Sequence, residues 1–378
     1  MSAALPIVIA GGGTGGHLFP GLALADELRG RGATVTFVGT SRGLEAKAVP
    51  AAGYALELID VAGLKGKGLG GLLRSLLRLP LALLQSLRLL RRLRPRAVVG
   101  VGGYASGPVV LLAALLRIPT VVLEQNSIPG FTNKLLGRVV RSVVVAFPGA
   151  GRFFPAGKLH ALGNPIRRAV LALEPAADIG QSPTAVRVLV LGGSQGAHAV
   201  NELVAAALAV WAGQPGAKEQ LGQRLRLRHQ TGASDRDAIE RRYRDLGLGP
   251  ELAVVEAFIS DMGQAYASCD LMVGRAGATT LAELTAIGRP AILIPFPQAA
   301  DDHQTENARW LAAEGAAELL PQATTTPAEL CARLQALCSP EARGRLAEMA
   351  AKSRRLGRPE AARSIADHVL SVAGIVQS

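Results

Sequence analysis

The sequence predicts an α/β protein of two halves, each a parallel sheet flanked by helices, with the two sheets facing a central cleft. Three observations predict it. Short apolar runs alternate with helical patterns along all 378 residues, as expected of βα units whose crossovers build parallel sheets. That length exceeds what a single hydrophobic core usually organises. The halves also begin alike: Ile7-Val8-Ile9-Ala10 runs into a glycine turn at Gly11–Gly16, and Val188-Leu189-Val190-Leu191 runs into Gly192-Gly193-Ser194-Gln195-Gly196. Open α/β sheets bind ligands at the carboxyl ends of such strands.

In order, the first half shows strand patterns at 6–10, 34–38, 56–61, 97–101, 120–123 and 142–146. The second shows them at 187–191, 225–230, 253–257, 271–273, 291–294 and 317–320. Leu162-Gly163-Asn164-Pro165 and the irregular stretch Leu173–Thr184, with Pro175 and Pro183, place the hinge between them. The expected domains are 1–166, 167–340, and a helical tail, 341–378, that packs back on the first domain.

The first turn holds five glycines in six residues. Glycine lets backbone N–H groups approach an anion, and the following helix adds its positive end. Pro20 suits the first turn of that helix. Gly11-x-Gly13-x-x-Gly16 also matches the dinucleotide fingerprint, so an NADP-linked oxidoreductase competes. A dinucleotide site expects a carboxylate after the second strand, where this chain has Gly39-Thr40-Ser41-Arg42. Arg42 instead suits a 2′-phosphate. His17, directly after the glycines, is positioned either to act as a general base or to shape the turn by hydrogen bonding.

In the second half, Gly277, Ala278, Thr279 and Thr280 offer amides and hydroxyls to a diphosphate. Glu283, read in the first helical turn, suits ribose hydroxyls, yet Thr280-x-x-Glu283 equally fits a capping box. Asp301–Asn307 is a third polar helix start. Asp235-Arg236-Asp237 matches a DxD metal pattern but opens a charged stretch that reads as a solvated helix turn. Cys269, Cys331 and Cys338 form no CxxC pair, so the expectation is a reducing compartment with no metal site and no cofactor.

Net charge is +12, and Val61–Leu123 holds ten of the basic residues with no Asp or Glu. Within it, leucine pairs recur at helical spacing beside Arg74 and Arg78. Such a helix suits an anionic membrane surface, or a core position with a solvated basic face. Nucleic acid is not expected, because no aromatic residue lies between Val61 and Gly103 to stack on bases. The apolar run 97–116 is divided by Gly102–Pro108, too short on either side to span a bilayer. The N-terminus lacks a basic start, so secretion is not expected.

Seven motifs in order carry a resemblance: GGGTGGHLFPGLALA at 11–25, VGGYASGP at 101–108, EQNSIPGFTNK at 124–134, GNPIR at 163–167, LGGSQGA at 191–197, GRAGATTLAEL at 274–284 and DDHQTENA at 301–308. Spread over nearly the whole chain, they resemble the MurG family of N-acetylglucosaminyltransferases in bacterial peptidoglycan synthesis. The resemblance implies a glycosyltransferase-B fold with two Rossmann-like domains. It implies transfer of N-acetylglucosamine from UDP-N-acetylglucosamine to the muramoyl C4 hydroxyl of lipid I, with inversion, giving lipid II and UDP. A glycolipid transferase with another acceptor is the nearest alternative within that class.

Carried over, the donor site comprises Thr14, Gly15, Gly16, Asn126, Arg167, Ser194, Ile259, Ala278, Thr279, Thr280, Leu281, Ala282, Glu283 and Gln304. The acceptor side comprises Gly13, Gly102, Gly103, Tyr104 and Gly107, with His17 as the catalytic residue. His303 stands where some of that family carry glutamine. Implied partners are UDP-N-acetylglucosamine, lipid I, an anionic membrane surface and other cell-wall synthesis and division proteins. The implied location is peripheral, on the cytoplasmic face of the inner membrane.

Overall fold

The computed structural model describes residues 5–61, 69–172, 185–193 and 196–375. The chain forms two compact units, Met1–Arg167 with Arg358–Ser378, and Arg168–Gly357.

The first unit runs β1 (Leu5–Gly11), α1 (Gly15–Gly30), β2 (Ala33–Gly39), α2 (Glu45–Ala51), β3 (Ala55–Leu58) and α3 (Leu69–Leu93). It continues with β4 (Ala97–Gly102), α4 (Ser106–Leu115), β5 (Thr120–Glu124), α5 (Phe131–Val139), β6 (Ser142–Val145) and β7 (Leu159–His160). Its strands pair in parallel in the order β3-β2-β1-β4-β5-β6-β7. Side chains alternate across a strand, and β1 shows it: Ile7 and Ile9 enter one apolar layer, Val8 and Ala10 the other. Both faces are therefore buried, as a parallel sheet requires. The order reverses between β1 and β4, so the turns after these two strands meet at the switch point where open sheets take ligands.

The second unit comprises α6 (Arg168–Leu171), β8 (Val186–Leu191), α7 (His198–Ala212), α8 (Ala217–Arg224), β9 (Leu225–Gln230) and α9 (Arg236–Asp245). Then come β10 (Ala253–Glu256), α10 (Met262–Ser268), β11 (Leu271–Gly274), α11 (Ala278–Ile287), β12 (Ala291–Leu293), α12 (His303–Ala313), β13 (Ala317–Leu319), α13 (Pro327–Leu337) and α14 (Arg343–Leu356). The six strands pair in the order β10-β9-β8-β11-β12-β13, repeating the reversal at β8/β11. Buried Arg289 donates to the Tyr266 and Ala267 carbonyls at the end of α10, a favourable place for a cation.

The stretch read as one tail divides. α14 stays with the second unit, where Ser353 Oγ donates to Arg289 O (2.9 Å) and Arg354 to Ile287 O (2.8 Å). The last helix, α15 (Ala361–Val372), covers the first sheet. Its Ile365, Val369 and Leu370 lie in the same layer as Ile7 and Ile9, burial worth about 1.5–3 kcal/mol per side chain. Arg31 fastens it through Asp367 (2.9 Å). Pro20 also falls later than expected, in the second turn of α1, because the helix begins at Gly15. Lacking an N–H, it cannot continue the ladder to the Gly16 carbonyl.

Candidate active site

In the first unit, the two switch-point turns pack backbone on backbone. Gly12 N–H donates to Gly102 O (3.3 Å), and a Cβ on Gly11 or Gly103 would collide with the opposite turn's carbonyl. Positive φ at Gly11, Gly12, Gly13, Gly102 and Gly103 makes the same demand for glycine.

A carboxylate stands at the end of β2 after all. Glu45, the first residue of α2, folds back to accept from Thr40 N (3.0 Å), Thr40 Oγ1 (2.9 Å) and Gly13 N (2.7 Å). Burial pushes its pKa up, but the Gly13 and Thr40 hydrogen bonds prevail and hold it below the ordinary value. It is turned inward onto the glycine turn rather than outward toward a ribose. The Gly13 N–H is therefore already engaged by Glu45. Thr14 is the N-cap, extended and with no side-chain capping bond.

His17 occupies the first turn of α1. Its Nδ1 lies 3.1 Å from Gln125 Oε1, and Gln125 Nε2 donates to Val101 O (3.0 Å). Gly102 makes room for the ring: a Cβ there would lie 2.6 Å from Nδ1. At the end of β5, buried Glu124 accepts from Asn126 N (2.9 Å), Gly130 N (3.1 Å) and Asn133 Nδ2 (2.9 Å), shaping the loop that carries Asn126. Burial raises the Glu124 pKa, with these donors pulling against it. Tyr104 is exposed beside the β4 turn. Gly107 has a packing reason of its own, since a Cβ would come 3.3 Å from Thr132 Cγ2. The Arg167 guanidinium lies 4.9 Å over the Phe19 ring of α1.

In the second unit, Gln230 joins two segments. Its Nε2 donates to Gly193 O and its Oε1 accepts from Ile259 N, both at 2.8 Å. Ile259 is buried, with exposed Phe258 beside it. Ser194 lies outside the described residues. Ala278, Thr279 and Thr280 form the first turn of α11, whose N-cap is Gly277. Thr280 is thus not a cap, and the capping-box reading of Thr280 and Glu283 fails. Glu283 sits in the second turn, 2% exposed. Leu281 is a core residue, and Ala282 beside it is half-buried.

Gln304, in the first turn of α12, accepts from Phe296 N (3.0 Å). Buried Asn307 donates to Ala276 O (3.2 Å), tying α12 to the turn before α11. His303 opens α12 after the left-handed Asp301 and Asp302. Burial brings the Arg275 pKa down to about 10 while its guanidinium holds Ile294 O and Pro295 O. Asp235 is occupied structurally, accepting from Asn201 Nδ2 (2.8 Å) and bonding His198 Nδ1 (2.9 Å).

Sequence reasoning singled out none of Glu45, Gln125 and Gln230, whereas Asn307 lay in the polar helix start it did single out. Gln125 stood inside a motif already quoted; Glu45 and Gln230 signal nothing until their distant partners are known.

Two doubly wound parallel units, each with its strand order reversing at a switch point, are the architecture of the glycosyltransferase-B fold. Residues 7–145 match the glycosyltransferase family 28 N-terminal domain and residues 187–369 its C-terminal domain. The chain is 54% identical over 342 residues, 89% of its length and 86% of the relative's, to a UDP-N-acetylglucosamine--N-acetylmuramyl-(pentapeptide) pyrophosphoryl-undecaprenol N-acetylglucosamine transferase of Anaeromyxobacter dehalogenans. It is 50% identical to the protein of that name from Myxococcus xanthus, over 89% of this chain and 85% of the other. The crystal structure of Acinetobacter baumannii MurG superposes with a TM-score of 0.78 at 33% identity, covering 97% of this chain and 99% of that one. The chain belongs to the MurG family within glycosyltransferase family 28.

Proposed function

We propose that the chain transfers N-acetylglucosamine from UDP-N-acetylglucosamine to the muramoyl C4 hydroxyl of lipid I, with inversion, releasing UDP and forming lipid II. The observation that carries the residue roles is His17, seated at the start of α1 between the Gly102 turn and Gln125. In a direct displacement the C4 oxygen forms a bond to the sugar C1. The C1–O bond to the diphosphate breaks with its electron pair, and the hydroxyl proton passes to the imidazole. The first unit takes the acceptor, with its diphosphate near Thr14 to Gly16 and the Gly102–Gly107 turn. The second takes most of the donor, with the diphosphate at the start of α11, Glu283 on the ribose and Gln304 on the sugar. Arg167 and the helix-start amides favour the departing diphosphate.

The reading of the location is supported by α3. Ala82, Ser86, Leu89 and Leu90 are buried at helical spacing, whereas Leu81, Leu84, Arg88 and Arg91 face outward. Leu115, Leu116, Phe131, Leu135 and Val139 on α4, its end and α5 are exposed as well. No described helix is long and apolar enough to cross a membrane. An apolar face edged by arginine supports peripheral docking on the anionic cytoplasmic leaflet, where other cell-wall synthesis and division proteins would be encountered. Lys65 and Lys67, two of the ten basic residues of 61–123, lie outside the described residues, as do the side chains of Arg74 and Arg78.

The test is incubation with UDP-N-acetylglucosamine and a lipid I analogue, following UDP and the disaccharide product. His17→Ala should lose turnover by at least about 100-fold while still binding UDP; wild-type turnover in that variant would remove the base assignment.

A further inference from the structure

Gln125 carries two hydrogen bonds that together settle a proton. Its side chain is buried, 2% exposed. Nε2 donates to Val101 O at 3.0 Å, and because a carbonyl oxygen only accepts, this bond fixes which way the amide points. The atom facing His17 Nδ1 at 3.1 Å is therefore Oε1, which has no proton to give. Nδ1 must carry the hydrogen, and in the neutral ring Nε2 is then the basic nitrogen. The ring has little room to adopt another pose. A Cβ on Gly102 would lie 2.6 Å from Nδ1 and 2.7 Å from Cε1, so the imidazole rests against bare backbone.

We propose that Gln125 is a positioning residue for the transfer reaction: it holds His17 as the Nδ1–H tautomer, so that Nε2 takes the proton of the acceptor hydroxyl. The proposal rests on the reading of His17 as the base. In the step, the hydroxyl proton moves to Nε2 as the oxygen bonds to C1 and the electron pair of the breaking C1–O bond leaves with UDP. The imidazolium so formed keeps its Nδ1–H on Gln125. A neutral amide orients the ring without adding a second negative charge beside a reaction that already releases one on the diphosphate.

The decisive measurement is the tautomer itself. Long-range proton–nitrogen NMR on the full chain labelled with ¹⁵N-histidine, above the pH at which the ring protonates, should show His17 with Nδ1 protonated and Nε2 bare. An Nε2–H tautomer in the wild type overturns the assignment whatever the turnover. Gln125→Met should abolish the preference and lower kcat about 10- to 100-fold, leaving the KM for UDP-N-acetylglucosamine within about twofold and the fold intact by melting. Wild-type kcat in a folded Gln125→Met protein likewise overturns it. Turnover persisting in His17→Ala would instead sink the base reading, and with it the catalytic use of Gln125, while leaving the measured tautomer in place.

Discussion

The Glu45 carboxylate accepts the Gly13 N–H at 2.7 Å and closes the first glycine turn from behind. Thirty-two residues separate the two in sequence, yet the bond decides which amides the turn can offer to a ligand. A Cβ on Gly39 would also sit 2.6 Å from Glu45 Cγ, so the carboxylate fills the space that glycine vacates. Glu45→Ala removes a buried charged acceptor from the exposed Gly13 N–H and the half-buried Thr40 donors. The expected loss is about 2–3 kcal/mol, read as a lower urea midpoint at unchanged m-value. A midpoint equal to wild type would mean that the turn holds its shape without the carboxylate.

Gly102→Ala tests the neighbouring wall. Gly102 has φ of +96°, which strains any L side chain, and its added methyl would press on the His17 ring. Turnover should fall about 100-fold or more as the imidazole leaves Gln125, whereas UDP affinity, measured by calorimetry, should stay unchanged. Equal losses in both would point to collapse of the turn rather than displacement of the base.

Much of this architecture was legible because parallel strands buried on both faces read as uninterrupted apolar runs. The expected strands therefore fall within a few residues of β1–β6 and β8–β13. β7 has only two residues, Leu159 and His160, too few to make a pattern. The division of α14 from α15 was not legible either. Both helices have an apolar stripe, and a stripe does not say which sheet it will cover. The glycine turns announced themselves, but their fastenings did not. Glu45, Gln125 and Gln230 meet partners 32, 108 and 37 or 29 residues away, distances that only the folded chain closes. Glu283 was placed one turn early because Thr280 looked like a cap; Gly277 performs that role.

Gln230→Met examines the proposed donor side. The buried amide holds Gly193 O and Ile259 N together at 2.8 Å each, and methionine fills its volume while satisfying neither. If the segments around Gly193 and Ile259 hold the nucleotide, UDP should bind about tenfold more weakly, a change of about 1.4 kcal/mol. Calorimetry with UDP gives the affinity and melting gives the stability. Unchanged affinity in a less stable protein would confine Gln230 to a structural role.

The docking of α15 should depend on pH. His368 Nε2 bonds Ser142 Oγ at 2.6 Å, its ring lies 4.1 Å from that of His160, and adjacent Asp367 is engaged by Arg31. Burial, helped by the nearby His160, lowers the His368 pKa from 6.5 to about 4. Between those values the unfolded chain binds the proton that the folded chain refuses, so stability rises with pH across that window and falls as pH drops through it. His229 in the second unit, lowered to about 3 by burial, slopes the same way, so the wild-type curve alone cannot isolate α15. The difference between wild type and His368→Leu can: the variant should lose less melting temperature than wild type between pH 6.5 and 4. Parallel curves would mean that His368 titrates alike in the folded and unfolded chains, and that proton uptake at this ring does not loosen the helix.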